Sequence, residues 1–111
     1  MDTVERYSQI VRNLITDYAG IPARNGEVED KAFFDEANGR YLLMAVGWEG
    51  SERVHAVVFH IDIVGDKIWL QRNHTNRDIA QELVDAGIPR ENIVIGYRHP
   101  ELRTYSGYAV N

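Results

Sequence analysis

His60 and Asp62 are the pair in this chain with the plainest chemical potential. Residues two apart in a strand point to the same side. An imidazole and a carboxylate so aligned could hold a small molecule, contribute two ligands to a metal, or bond each other. Two ligands are too few for a tight metal site, so the pair reads first as a polar margin whose members satisfy one another. His55, His74 and His99 fall in separate segments without metal-ligand spacing. The chain has no Cys, which removes thiolate zinc sites, iron–sulfur clusters, a Cys nucleophile and a disulfide framework. Ser8, Ser51 and Ser106 lack the Gly-x-Ser-x-Gly elbow. Neither a phosphate-cradling Gly-x-x-x-x-Gly-Lys-Ser/Thr loop nor a dinucleotide-binding Gly-x-Gly-x-x-Gly is present. Glu27/Glu29 and Glu49/Glu52 fall in expected loops, where solvated carboxylates are the default. With no acid/base pair in a recognisable setting, the expectation is a protein that is not an enzyme and needs no metal or cofactor.

Basic residues accompany aromatics in two places. Arg72, His74 and Arg77 precede a helical stretch, and Arg90, Arg98, His99 and Arg103 lie near Tyr97, Tyr105 and Tyr108. Arg with Tyr can grip phosphates and stack on bases. Arg and Tyr are also typical of protein–protein contacts. The overall balance is 12 basic against 17 acidic residues, a net charge of −5, which argues against a stand-alone binder of the phosphate backbone. Protein contact is therefore the preferred reading.

The elements that would position these groups follow from periodicity. A length of 111 residues suits one domain, residues 1–111. Val4, Tyr7, Ile10, Val11, Leu14, Ile15 and Tyr18 recur at helical spacing. Asp2 can cap that helix, with Glu5 three residues on, and Gly20 can end it, so a helix is expected over 3–19. The stretch Ala19-Gly20-Ile21-Pro22 returns as Ala86-Gly87-Ile88-Pro89. Shared helix-ending chemistry, with glycine at positive φ, explains it better than a duplicated unit. From 31 to 73 the pattern is strand and tight turn, with strands near 31–36, 41–48, 54–63 and 67–73. Asn38-Gly39, Gly50-Ser51 and Gly65-Asp66 are the expected turns. Thr75 or Asn76 can cap a second helix, with Asp78 in its first turn, and Gly87 can end it. Ile93-Val94-Ile95 is a short buried run of unassigned type, and the segment from 97 to 111 can add a last strand. The fold class is α+β: an N-terminal helix, a four-stranded antiparallel meander, a second helix and a partly irregular C-terminal segment. The longest nearly uncharged apolar stretch, 41–48, falls far short of the ~20 residues that span a bilayer. No apolar signal core opens the chain. A cytoplasmic protein without membrane association is expected.

The turns predict which side chains share a face. Phe33, Leu42, Met44, Val57, Phe59, Ile61, Ile63, Ile68 and Leu70 are expected on one side, beneath the first helix. Phe34, Leu43, Ala45, Ala56 and Val58 are expected on the other, with Tyr41, His60, Asp62, Trp69 and Gln71. A sheet covered on one side normally alternates apolar and polar residues. Here the middle strands are apolar on both sides, so something should cover the second face: the second helix and C-terminal segment, a second copy of the chain, or another partner.

Several blocks of the sequence resemble the XisI family. These are Arg40-Tyr41-Leu42-Leu43-Met44-Ala45-Val46-Gly47-Trp48, then His60-Ile61-Asp62-Ile63-Val64-Gly65-Asp66-Lys67-Ile68-Trp69-Leu70-Gln71-Arg72, then Ala80-x-Glu82-Leu83-Val84-x-Ala86-Gly87-Ile88-Pro89, Ile93-Val94 and His99-Pro100-Glu101-x-Arg103. The resemblance runs in order along nearly the whole chain. It implies an fdxN-element excision controlling factor, of a kind found mainly in cyanobacteria and associated with programmed DNA excision in heterocyst development. It also implies a XisH-like partner and a separate recombinase that performs the cutting and joining. One departure is Asn73-His74-Thr75-Asn76, which stands where the family's pattern suggests an Asp-Gly-Thr-Glu-like turn. The combined expectation is a non-catalytic accessory factor that works through protein contacts, with Tyr41, His60, Trp69, Arg98, His99 and Arg103 as contact residues. A DNA-binding excisionase-like factor and a small-molecule- or metal-responsive domain around His60 and Asp62 stand as alternatives.

Overall fold

The computed structural model describes residues 2–20 and 27–111. Helix α1 spans Thr3–Ala19, and the Asp2 carboxylate accepts from the Glu5 amide at 2.8 Å, closing the first turn as the sequence suggests. Tyr7, Val11, Leu14 and Ile15 are its buried stripe. Gly20 ends it with φ −75°, in the right-handed region. Positive φ is found only at the second copy of the motif, Gly87 with φ +112°. Ile21 and Pro22 lie outside the described residues.

The sheet has five strands in the order β1-β2-β3-β4-β5, one more than the meander the sequence suggests. They are β1 (Val28–Asp35), β2 (Arg40–Glu49), β3 (Glu52–Val64), β4 (Lys67–Asn73) and β5 (Ile93–Ile95). The first four are antiparallel neighbours. The run Ile93-Val94-Ile95 is the fifth strand, parallel to β4. It reaches that position through helix α2 (Ile79–Asp85), the kind of crossover a parallel pair requires. The N-cap of α2 is Asp78, which accepts from the Gln81 amide at 3.1 Å. Thr75 and Asn76 do not cap it, because the preceding residues are tied into a turn. The Asn73 side chain accepts from Thr75 N at 3.1 Å and Thr75 Oγ1 at 2.6 Å, and donates to Arg77 O at 2.8 Å.

Two of the three expected turns close tight hairpins at Gly50-Ser51 and Gly65-Asp66. The first is wider. Asp35 accepts from Asn38 N at 3.3 Å and Asn38 Nδ2 at 2.9 Å, which winds Glu36–Asn38 into a 3-10 turn. Asp35 therefore faces Arg40, and Phe33 and Phe34 face Leu42 and Tyr41 rather than Met44 and Leu43. Gly39 completes the turn at φ +65°, and a Cβ there would meet Ile63 O at 2.5 Å. Only glycine lets the turn approach β3 closely enough for the Ile63 N to Gly39 O bond of 2.7 Å.

A β-bulge decides the faces. From Glu49/Glu52 to Met44/Val57 the register is the expected one; beyond it Leu43 faces Phe59, Leu42 faces His60 and Tyr41 faces Ile61. Val58 is the extra residue, and it shares the core with Phe59. One inserted residue exchanges the sides of β2 relative to the far half of β3. Tyr41, Leu43 and Ala45 consequently lie under the helices, while Leu42 and Met44, with Phe33 and Val57 opposite them, lie on the second face. This reverses the expected placement of those residues. The core beneath α1 and α2 gathers Tyr7, Val11 and Ile15 with Ile79 and Leu83 over Leu43, Phe59, Ile61, Ile68, Leu70, Ile93 and Ile95.

Candidate functional site

Two strands, β3 and β4, bring His60, Asp62, Trp69 and Gln71 together on the second face. Asp62 faces Trp69 directly, and Gln71 sits at a second register shift between β3 and β4. His60 Nε2 lies 3.0 Å from Asp62 Oδ1, and Gln71 Nε2 donates to Asp62 Oδ2 at 3.2 Å. Both carboxylate oxygens are thus engaged within the sheet. Trp69 is half-buried, with the Arg103 guanidinium 5.2 Å from its ring centre. The expected grouping of these four side chains on one face is present, and their hydrogen bonds make it a rigid polar margin.

The C-terminal segment closes over this end of the face. After β5 a short helix, α3 (Pro100–Arg103), is capped by the His99 side chain, whose Nδ1 accepts from Glu101 N at 3.2 Å. Arg103 donates through Nε to Arg98 O and through Nη2 to Gly96 O, each at 3.1 Å. A Cβ at Gly96 would fall 2.7 Å from Gln71 Oε1 and 3.2 Å from the Trp69 ring, so the chain crosses here in direct contact with β4. Ala109 then bridges Val94 in parallel, with its amide on Ile93 O at 2.8 Å. Val94, which faces Trp69, is fully buried. The last residues add one isolated bridge, not the further strand the sequence allowed.

The six expected contact residues divide accordingly. His60 and Trp69 lie on the second face, and Arg103 reaches that face as a clamp on the C-terminal segment. Arg98 and His99 are exposed on that segment. Tyr41 is corrected: it is 1% exposed under α1, with its hydroxyl 2.6 Å from Ser8 Oγ. The bulge at Val58 turns it away from His60. Phe33, Leu42, Met44 and Val57, expected beneath the helix, lie on the second face in its place, joined by Val46 and Trp48. Phe33 is 52% exposed and Trp48 49%, while Leu42, Met44, Val46 and Val57 are half-buried with no element over them among the described residues. They form an apolar field across β1, β2 and β3. No periodicity could have revealed it, because β2 is apolar at both odd and even positions.

A cleft of about 800 Å³ lies between the first half of α1 and the two turns at 36–39 and 64–65. Its polar groups bind one another, Ser8 with Tyr41 and Arg12 with Glu36 at 2.6 Å. Arg77 forms a bidentate pair with Glu82, which holds its guanidinium above the ordinary Arg range, and it lies 5.4 Å from the Tyr18 ring. This pair joins α1 to α2 next to the turn of 73–76. Among the described residues no group of three His, Asp or Glu comes close enough to hold a metal ion. No described helix is long and apolar enough to cross a membrane.

The XisI protein family model matches residues 1–110. The chain belongs to the XisI family. Two solved structures show the same fold. A XisI-like protein from Anabaena variabilis ATCC 29413 is 41% identical, with 97% of this chain and 99% of that chain covered and a TM-score of 0.91. The fdxN element excision controlling factor XisI from the same organism is 30% identical, with 99% and 100% covered and a TM-score of 0.86. No curated protein matches the chain. In this XisI-family chain the departure at Asn73-His74-Thr75-Asn76 is structurally consistent. The Asn73 amide organises the turn through both of its ends, and an aspartate in its place would offer no donor to Arg77 O.

Proposed function

We propose that this XisI-family protein is a non-catalytic controlling factor in site-specific excision of a DNA element, acting by protein contact from the cytoplasm. The observation that carries this reading is the open apolar field of Phe33, Leu42, Met44 and Val57 on a sheet whose other face is closed by helices. Isolated exposed apolar residues are ordinary; a contiguous group on one face marks an interaction surface. Family membership with a solved excision controlling factor supplies the process. The resemblance supplies the partner, a XisH-like protein, through which the recombinase is reached. The charge of −5 supports contact with protein over contact with DNA. The mutual bonds of His60, Asp62 and Gln71 support a structural part for that margin over a ligand site.

Co-purification of the full chain with a XisH-like protein, with and without DNA, tests this. A complex that forms without DNA and is lost in Met44→Glu, while the variant keeps its fold, is the expected result. Unaided cleavage of DNA by the isolated chain would overturn the reading. So would a complex indifferent to Met44→Glu, or binding of duplex DNA alone that weakens steeply with salt.

A further inference from the structure

Strand β1 ends the sheet with nothing beside it among the described residues, whereas the opposite edge, β5, is taken by Ala109. Of the seven β1 residues after Val28, six are charged or aromatic, and Lys31 through Asp35 are all exposed. A free edge offers a row of unpaired amides and carbonyls to another strand. Which residues offer them follows from the ladder. Trp48 N donates to Glu27 O at 3.1 Å, so with strict alternation the odd positions 29, 31, 33 and 35 bond β2. The even positions Asp30, Ala32 and Phe34 aim their backbone groups outward.

We propose that the β1 edge is a self-association surface, where two copies of this chain pair β1 antiparallel about a two-fold axis at Phe33 to form one continuous ten-stranded sheet. An axis normal to the sheet keeps every side chain on its own face, so only positions of like parity oppose each other. Few centres then remain. Centring on Lys31 sets lysine against lysine, centring on Asp30 sets aspartate against aspartate, and centring on Ala32 sets Glu29 against Asp35 twice. Centring on Phe33 stacks the two exposed Phe33 rings and places Lys31 of each copy opposite Asp35 of the other. It also opposes Ala32 to Phe34, the residues whose backbone groups point outward. Aromatic and opposite-charge cross-strand pairs stabilise an antiparallel ladder, and like charges oppose it. Asp35 stays ionised through its bonds from Asn38, so the charge that Lys31 needs is present. The pairing would bring the two open apolar fields onto one surface. It goes beyond the accessory-factor reading and does not depend on it, since a chain with no part in excision could pair in this way.

Sedimentation velocity of the full chain over a concentration series reads the association. A dimer that forms with concentration is expected. Ala32→Pro should return it to monomer, because proline deletes an outward amide without removing a bond to β2. Lys31→Glu should weaken it roughly tenfold and keeps the test open if the proline variant fails to fold. The register has its own readout, because the chain has no Cys. Phe33→Cys places two thiols at a non-hydrogen-bonded pair, with Cα atoms about 4.5 Å apart, inside disulfide range. Mild oxidation should cross-link that variant and leave Glu29→Cys without a covalent link. A strictly monomeric chain, a dimer insensitive to Lys31→Glu, or cross-linking no faster at 33 than at 29 would overturn the proposal.

Discussion

The two halves of the second sheet face were treated differently by the same chain. Over β4 and β5, the segment from 97 to 110 folds back, and Val94 is buried to 0% exposure. Arg103 holds the Trp69 ring and two backbone carbonyls. Over β1, β2 and β3 no element covers this face among the described residues, and Phe33 keeps half its surface in water. The covered half carries the polar margin of His60, Asp62 and Gln71 beside Trp69 and Val94, whereas the open half is apolar, so apolar character alone does not decide which half is covered. The chain leaves the sheet at β5, and the segment from 96 to 109 packs against β4 and β5. Full burial of a large apolar side chain is worth roughly 1.5–3 kcal/mol, and the open half forgoes part of that at several positions. A partner can recover it.

The comparison breaks most readily at Val94. Val94→Asp puts an unpaired charge under the C-terminal segment and should cost at least about 3 kcal/mol in urea unfolding; a small loss would mean that the cover is not closed. Next comes Arg103→Ala, which removes a ring contact and two hydrogen bonds. A loss of about 1–2 kcal/mol is expected, with faster amide exchange confined to 96–110. Arg103→Lys should recover little, because lysine cannot reproduce the two-carbonyl fork. In the open half Phe33→Ser should change stability by about 0.5 kcal/mol or less, measured on the same unfolding curves. A loss equal to that at Val94 would show that this half is covered after all.

The smallest effect concerns the turn at the margin of the open half. The bond from the Asn38 side chain, joined by its backbone amide, holds the Asp35 carboxyl below the ordinary range, against a smaller opposing effect of desolvation. Its folded value thus lies below its unfolded value. The stabilisation is complete above the usual value of 3.8 and is lost as pH falls through the lower folded value. An NMR titration of the Asn38 amide should show a midpoint below 3.8, absent in Asp35→Ala, with no change between about pH 5 and 8. Asp30, also on β1, shifts the other way: burial pushes its carboxyl up.

Much of the fold was legible because it is written in local terms. The α1 stripe and the Asp2 cap were readable as short-range spacing, as were two glycine hairpins and the pairing of Ile63 with Ile68, Ile61 with Leu70 and Asp62 with Trp69. The grouping of His60, Asp62, Trp69 and Gln71 was readable for the same reason, since it depends only on the tight turn at Gly65-Asp66. Legibility failed where a side chain competed with the backbone or where both faces of a strand were apolar. Asp35 widened one turn by binding Asn38, and Asn73 displaced the start of α2 by binding Thr75 and Arg77. Tyr41 and Leu42 exchanged faces because a single bulge at Val58 does so, and an apolar strand carries no signal against it.

By itself the sequence determined the α+β class, the order of helix and hairpins, the family and the polar margin, because each rests on spacing between near neighbours. Tertiary structure alone decided which face of β2 meets the helix, that β5 joins parallel to β4, and which half of the second face remains open. Those outcomes depend on one bulge and on where the segment from 96 to 109 packs, and both are settled by contacts among residues distant in sequence.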